Sequence, residues 1–127
     1  GQGNGQGGRE HGQKADQLPG YRLIENEADR EHVARVWGVA PEDLPRRGLS
    51  ATEAVAAIRP GGIRGWLSLA NDLAVSAPNA NWAGERLADL ECLVVCDAFL
   101  NETSRHAHAF LPTLQWAEEE GTMTNLE

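Results

Sequence analysis

Long hydrophobic runs are missing from this sequence of 127 residues. No apolar stretch approaches the ~20 residues that a membrane-spanning helix needs, and no charged-then-apolar leader stands at its start. Hydrophobic residues still make up 41% of the chain, which is enough for one ordinary core at this length. We therefore expect a soluble chain with one small domain.

Basic residues are scarce relative to acidic ones. Eleven Lys and Arg stand against 19 Asp and Glu, which gives a formal net charge of −8 at pH 7. Because an acidic protein repels polyanions at long range, this balance argues against nucleic acid or an anionic membrane as the main partner. It leaves room for one anionic cofactor, since helix-start N–H groups and a single Arg bind phosphate locally.

Cysteine is also rare, and the two that occur, Cys92 and Cys96, lie in one apolar run. Four residues of strand separate two side chains on one face by roughly 13 Å, well beyond the ~7 Å that a disulfide spans between Cα atoms. We predict reduced, buried, small apolar residues, which favours a reducing, cytoplasmic setting. Metal-ligand spacing is absent too: the cysteines are too far apart to chelate together, and the pair His106 and His108 is more typical of a surface.

Several catalytic motifs are missing. The glycine fingerprint G-x-G-x-x-G does not occur in the loop 70–79, and the similar rhythm in GQGNGQGG follows no strand. A nicotinamide-dependent dehydrogenase is therefore not expected. No P-loop, nucleophile elbow or acid–base pair on a rigid element occurs either. If the parent protein is an enzyme, its hard chemistry belongs to a cofactor.

The sequence does contain a strand–helix–strand pattern over residues 62–97. Apolar spacing predicts strands at 63–70 and 92–95 with a helix around 79–90, and a third short strand near 109–111. Such a crossover is the unit of a parallel sheet, whose central strands are covered on both faces. We predict an α/β fold: a three-layer, open, mostly parallel, Rossmann-like sheet with flanking helices.

Two further helices are predicted before the sheet. The first begins at Asn26 as N-cap, carries an apolar stripe of Val33, Val36 and Trp37, and ends at Gly38. The second begins with the capping box Ser50-Ala51-Thr52-Glu53 and turns Val55 and Ile58 inward.

Polar side chains follow the predicted strands. Because the carboxyl ends of parallel strands share one edge, we expect them to line a crevice that suits a nucleotide. Carboxylates there accept bonds from an amino-bearing heterocycle or a ribose diol, and hydroxyls suit phosphate. The alternative is that the acids only cap helices and loops. The side chains are Asn71, Asp72, Ser76, Asp97 and Thr113.

Residues 1–20 are rich in Gly and Gln and have no apolar period. This composition predicts a loop that something else approaches closely, or a solvated linker. Within it, Gly7-Gly8-Arg9-Glu10 combines two glycines with the donor fork of Arg9, which suits an anion. We divide the chain into this loop over 1–20 and an α/β segment over 21–127.

Five stretches in order carry a family resemblance: NGQGGREHGQKADQLPGYR, HVARVWGV, LANDLAVSAP, LVVCDAFLNETS and LPTLQWAEEEGTMTN. Together they resemble an internal segment of the molybdenum oxidoreductases that carry bis-molybdopterin guanine dinucleotide, particularly the bacterial assimilatory nitrate reductases, with formate dehydrogenases as near relatives. The tail is the most specific, since it is similar to the family pattern W-x-E-x-E-G-x-x-x-N.

The resemblance implies roles for individual residues. Asp72 and Ser76, beside Asn71, would meet the guanosine end of the cofactor, Cys96 and Asp97 would frame the guanine, and Thr113 would add a contact. The loop over 1–20 would lie near cofactor or substrate, and its Arg9 would attract nitrate near the molybdenum. These assignments make the carboxylates cofactor anchors rather than catalytic acids.

The resemblance also implies that the chain is a partial domain of a larger enzyme, and it implies what lies outside the chain. An iron–sulfur cluster motif, the protein ligand to molybdenum and an electron-donor protein or domain would belong to the rest of a cytoplasmic enzyme that reduces nitrate to nitrite, and the excerpt alone would not turn over. Formate oxidation is the alternative within the family. A non-catalytic nucleotide-binding module and a purely structural domain are the alternatives outside it.

Overall fold

The computed structural model describes residues 4–124 of the chain. Residues 1–3 and 125–127, which include the start of the segment 1–20 and the Asn that ends the tail motif, lie outside the described part. The chain divides into two compact units, Gly1–Ser50 with Thr122–Glu127, and Ala51–Gly121. The functional division at residue 20 stays a prediction.

The first unit combines short helices with an antiparallel hairpin. Its elements are helix α1 (Gly5–Glu10), strands β1 (Gln17–Leu18) and β2 (Arg22–Leu23), helix α2 (Glu27–Trp37) and a 3-10 turn (Pro41–Asp43). Its buried core consists of Leu18, Ile24, Val33, Ala34 and Leu44. The loop predicted over 1–20 thus contains a helix, which begins where the side chain of Asn4 accepts a bond from the Gly7 N–H over 3.2 Å.

Helix α2 follows its sequence signals at both ends. The Asn26 side chain accepts a hydrogen bond from the Asp29 N–H over 3.0 Å, and Gly38 ends the helix with φ of 70°. These bounds are as predicted. The apolar stripe is only partly right: Val33 is buried, whereas Val36 and Trp37 are 69% and 54% exposed. The core of this unit packs against the middle of the helix and stops short of its last turn.

The second unit holds the parallel sheet. Its elements are helix α3 (Ala51–Ala56), strand β3 (Gly65–Leu69), helices α4 (Leu73–Ser76) and α5 (Ala80–Ala88), strand β4 (Cys92–Asp97), a 3-10 turn (Thr103–His106) and strand β5 (Ala109–Pro112). The strand order is β3-β4-β5, with both pairs parallel. The predicted α/β fold, the strand–helix–strand unit and the third strand are confirmed.

One face of this sheet is packed and the other is open. Leu93 and Val95 of β4 are fully buried, in one cluster with Val55 of α3, Leu87 of α5 and Ile58, which follows α3. The side chains that alternate with them point the other way, and on the neighbouring strands Leu67, Leu69 and Leu111 are 59%, 63% and 52% exposed. The expectation that both flanks of β4 are covered is therefore not met within the described residues.

The two cysteines lie on that open face. Both are free, as the strand spacing predicts. The predicted burial is wrong, because Cys92 is exposed and Cys96 is half-buried. The cause is register: Cys92 and Cys96 alternate with Leu93 and Val95, which take the core side of β4.

Candidate functional site

The carboxyl ends of β3, β4 and β5 form one edge, which we call the carboxyl edge. Asp97 ends β4 opposite Pro112 of β5, and Cys96 lies opposite both Leu69 and Leu111. Beyond the strands, the Ala70 N–H donates to the Cys96 carbonyl over 2.8 Å and the Thr113 N–H donates to the Asp97 carbonyl over 3.0 Å. The polar residues that follow the three strands therefore meet at one edge, as parallel topology requires.

Asp97 occupies the middle of this edge. Its Oδ1 accepts from the Ala98 N–H over 2.7 Å, and its Oδ2 accepts from Asn101 Nδ2 over 2.9 Å. The side chain is half-buried. An ionised carboxylate has about four acceptor positions, so one bond to each oxygen holds the group in place and leaves each oxygen able to accept a second.

Asp72 is held by the loop after the neighbouring strand. Its Oδ1 accepts from both the N–H and the hydroxyl of Thr103, over 3.0 and 2.7 Å. Thr103 is fully buried, and its Oγ1 in turn accepts from the Ala74 N–H over 2.9 Å. The capping role that the sequence offered as an alternative for the acids is thus partly realised, because both acids also organise loops.

Asn71 and Ser76 are exposed at the start and end of the same loop and short helix. The Ser76 hydroxyl donates weakly to Asn71 Oδ1 over 3.4 Å, and the buried Ser68 hydroxyl donates to the Asn71 carbonyl over 3.0 Å. The turn that carries them needs Ala70 in the left-handed region, with φ of 47°. Amide and hydroxyl groups on this loop are therefore available to solvent.

Cys96 and Thr113 are the remaining predicted contacts. Thr113 is exposed and next to Asp97 through its backbone bond. The Cys96 side chain lies on the open face of the sheet, opposite in direction to Asp97. Cys96 therefore reaches the edge through its backbone carbonyl, which Ala70 already uses.

Arg9 lies in the first unit, exposed in the last turn of α1. The close approach predicted for the glycines before it is made within the chain, because a Cβ at Gly7 would meet the Asn4 side chain at 2.6 Å. Asn4 Oδ1 also accepts from the Thr124 N–H over 3.2 Å. Asn4 thus fixes the turn that presents Arg9.

Three residues that matter at the carboxyl edge were missed in the sequence: Asn101, Thr103 and Ser104. Asn101 Oδ1 accepts from the Ser104 N–H over 2.9 Å, and the Ser104 hydroxyl bonds the Asn101 backbone. The usable signal is Asn-x-x-Ser, a local capping pattern, four residues after an Asp that ends a strand.

Within residues 4–124, no group of three or more His, Cys, Asp or Glu side chains is arranged to hold a metal ion. No helix in the same part of the chain is both long and apolar enough to cross a membrane. The carboxyl edge presents hydrogen-bonding groups, with carboxylates at its centre and amide and hydroxyl groups beside them.

Comparison with known proteins gives a consistent result over the full length of the chain. Residues 3–127 match the molybdopterin oxidoreductase family. The chain is 53% identical over 127 residues to an assimilatory nitrate reductase catalytic subunit of Bacillus subtilis (strain 168), and covers 18% of that protein. It is 36% identical over 129 residues to a nitrate reductase of Synechocystis sp. (strain ATCC 27184 / PCC 6803 / Kazusa), again covering 18%.

Formate dehydrogenase H of Escherichia coli (strain K12) is 32% identical over 125 residues, which are 98% of this chain and 17% of that protein. The chain thus spans less than a fifth of the length of these curated relatives. With the family matched over residues 3–127, this chain belongs to the molybdopterin oxidoreductases.

Proposed function

We propose that this chain is a segment of a molybdenum oxidoreductase that reduces nitrate to nitrite, and that its carboxyl edge binds the guanosine end of a bis-molybdopterin guanine dinucleotide. The observation that carries the proposal is Asp97, held half-buried at the end of the central strand with acceptor capacity on both oxygens. The 53% identity to an assimilatory nitrate reductase catalytic subunit supports nitrate as the substrate.

The residues at the edge fit a guanine nucleotide by their chemistry. Guanine presents adjacent N–H donors, which the two oxygens of Asp97 accept without losing their bonds to Ala98 and Asn101. Exposed Asn71, Ser76 and Thr113 offer amide and hydroxyl groups to ribose and phosphate oxygens. Asp72 contributes an acceptor, and Cys96 contributes backbone at the strand end.

The chemistry of nitrate reduction consumes two electrons and two protons and releases nitrite and water. The bound molybdenum cofactor supplies the redox step, and the residues of this chain bind and orient it. Exposed Arg9 supplies positive charge that raises the local concentration of the nitrate anion in a protein whose net charge is −8.

The rest of the parent enzyme completes this function. We propose that it carries an iron–sulfur cluster, the molybdenum ligand and a site for an electron-donor protein or domain, in the bacterial cytoplasm. The free state of Cys92 and Cys96 is compatible with such a reducing compartment.

A second candidate is formate oxidation by the same cofactor, which the 32% identity to formate dehydrogenase H supports. Assays of the full-length wild-type protein with each substrate separate the two. Nitrate turnover with a reduced dye donor and no formate oxidation is the expected result, and the reverse pattern would assign the enzyme to formate.

The role of the edge is tested with Asp97→Ala in the full-length protein, against Asp89→Ala, which removes an acid that pairs with Arg86 at the end of α5. The amount of guanine nucleotide that acid treatment releases is measured per polypeptide. We expect Asp97→Ala to lose most of this nucleotide, together with nitrate turnover. Asp89→Ala should keep both. Wild-type protein without releasable guanine nucleotide, or normal loading and kinetics in Asp97→Ala, would overturn the proposal, and the former would favour a non-catalytic module.

A further inference from the structure

We propose that Thr103 is a positioning residue for the nucleotide site: its hydroxyl fixes the positions of Asp72 and the start of α4 relative to Asp97. The proposal rests on the proposed function of the carboxyl edge. Thr103 is fully buried, and its contacts join the loop that follows β4 to the loop that follows β3.

The hydrogen of the Thr103 hydroxyl has one possible direction. The Ala74 N–H is only a donor, so at 2.9 Å the hydroxyl oxygen must accept from it. The single hydroxyl hydrogen is then free for Asp72 Oδ1 at 2.7 Å, a distance typical of a charge-assisted bond. The Thr103 N–H adds a second bond to the same oxygen over 3.0 Å.

This arrangement orients the Asp72 carboxylate. Both described bonds end on Oδ1, so the direction of Oδ2 is fixed while its acceptor positions stay available among the described residues. A carboxylate that is already oriented loses less rotamer entropy when it meets a ligand.

Thr103 also supplies the cap that α4 lacks. Asp72 is the N-cap residue of α4 but makes no side-chain bond to its own helix, and the Ala74 N–H is satisfied by Thr103 instead. Ser76 is the last residue of this short helix, and Asn71 lies just before its N-cap. Loss of the Thr103 hydroxyl would therefore release the backbone that presents both.

The same turn reaches Asp97. Asn101 donates to Asp97 Oδ2 and accepts from the Ser104 N–H, one residue after Thr103. The two acids of the carboxyl edge are thus tied to one four-residue turn, 101–104. Thr103 is the member of that turn that contacts the β3 side.

The test uses four variants of the full-length protein, three at Thr103 and one in the buried core. Thr103→Val keeps the shape and removes the hydroxyl, Thr103→Ser keeps the hydroxyl, Thr103→Cys leaves a weak S–H donor, and Val55→Ala weakens the buried core away from the edge. For each, the guanine nucleotide per polypeptide, its rate of release on dilution and the Tm are measured.

We expect the release rate to follow hydrogen-bonding capacity. Thr103→Val should release the nucleotide about tenfold faster than wild type, as loss of one buried charge-assisted bond predicts. Thr103→Cys should be intermediate and Thr103→Ser within about twofold of wild type. Val55→Ala should lower the Tm without changing the release rate. If Thr103→Val does not accumulate, the Cys and Ser variants still give the order.

The outcomes separate this proposal from the proposed function. If Asp97→Ala loses the nucleotide while Thr103→Val and Thr103→Cys release it at the wild-type rate, the positioning role is overturned and the site stands. Release rates that follow the Tm across all variants, Val55→Ala included, would reduce Thr103 to a structural role. Wild-type protein that binds no guanine nucleotide overturns the proposed function itself.

Discussion

Arg30 Nη2 donates a hydrogen bond to the carbonyl oxygen of Pro41 over 2.6 Å. The guanidinium is buried, with 5% of Arg30 exposed, and three more carbonyl oxygens accept from it, those of Ile24, Leu44 and Pro45. A buried cation is stabilised here by carbonyl dipoles, and the segment that follows α2 is held against the helix.

Replacement of Arg30 by Met should therefore destabilise the first unit. The apolar side chain leaves four carbonyl oxygens without these donors, and we expect a loss of about 3 kcal/mol in the free energy of local unfolding. Hydrogen exchange of the α2 amides in the full-length protein measures it. Arg35→Met, at an exposed position of the same helix, is the control and should change the free energy of local unfolding by less than about 0.5 kcal/mol. Equal exchange in both variants would contradict the role of Arg30.

Gly62 should not tolerate a side chain. A Cβ at this position would overlap the carbonyl oxygen of Ala57, where the chain passes from α3 to β3. We expect Gly62→Ala to lower the free energy of unfolding by about 1–3 kcal/mol, because the backbone must move to make room for the methyl group. Gly121→Ala is the matched control, since a Cβ there meets nothing within 4 Å. Limited proteolysis of the two variants compares them, and equal resistance would show that the turn adapts freely.

Much of the fold could be predicted because its signals are local. Asn26 and Gly38 bound α2, and the apolar run at 92–95 marks β4, from side-chain chemistry within one or two turns of chain. The strand ends then followed from parallel topology, which brings Asp97 and Thr113 to one edge.

The remaining features depend on contacts between distant residues. Asp72 and Thr103 are 31 positions apart, and no local pattern indicates that they bond. The period of 2 in β4 separates its two faces but does not say which face meets the helices, so the burial of the cysteines was predicted wrongly. The Gly-rich start forms a helix despite its low propensity, and Asn4, which caps this helix, also bonds Thr124, 120 positions away.

The ion pair of Arg64 and Glu91 should give the second unit a pH-dependent stability. Arg64 Nε and Nη2 each donate to Glu91 over 2.6 Å, and this bidentate hydrogen bond lowers the pKa of the Glu91 carboxyl. Desolvation opposes the shift, and the charge of the guanidinium adds a smaller lowering. A lowered pKa in the folded state means that the stabilisation is present above the unfolded value of about 4.3. It is lost as the pH falls through the folded value.

Glu91→Gln provides the measurement. The free energy of unfolding should be higher for wild type than for Glu91→Gln at pH 7. This difference should shrink in 1 M salt, because both side chains are exposed, and disappear at acid pH, because Glu91 is then protonated. Glu85→Gln, at an exposed position of α5, is the control for removal of one negative charge. A difference that persists after protonation would assign the effect to packing.

Arg9 should affect the affinity for nitrate more than the turnover rate. In the full-length enzyme we expect Arg9→Ala to raise the KM for nitrate about tenfold and to leave kcat within about threefold, because a charge that attracts the anion acts before the redox step. Arg9→Lys should keep part of the effect, and higher salt should reduce it. Arg35→Ala is the control for loss of an exposed positive charge. An unchanged KM for nitrate in Arg9→Ala would show that Arg9 does not attract the substrate.

The open face of the sheet has a consequence for handling the protein. Leu67, Leu69 and Leu111 form an uncovered apolar surface, and among the described residues β3 and β5 are unpaired on their outer sides. Surfaces and edges of this kind promote aggregation. Residues 51–121 expressed alone should therefore form oligomers. Leu67→Lys or Leu111→Lys should improve solubility without loss of the fold, since the packed face lies on the other side of the sheet.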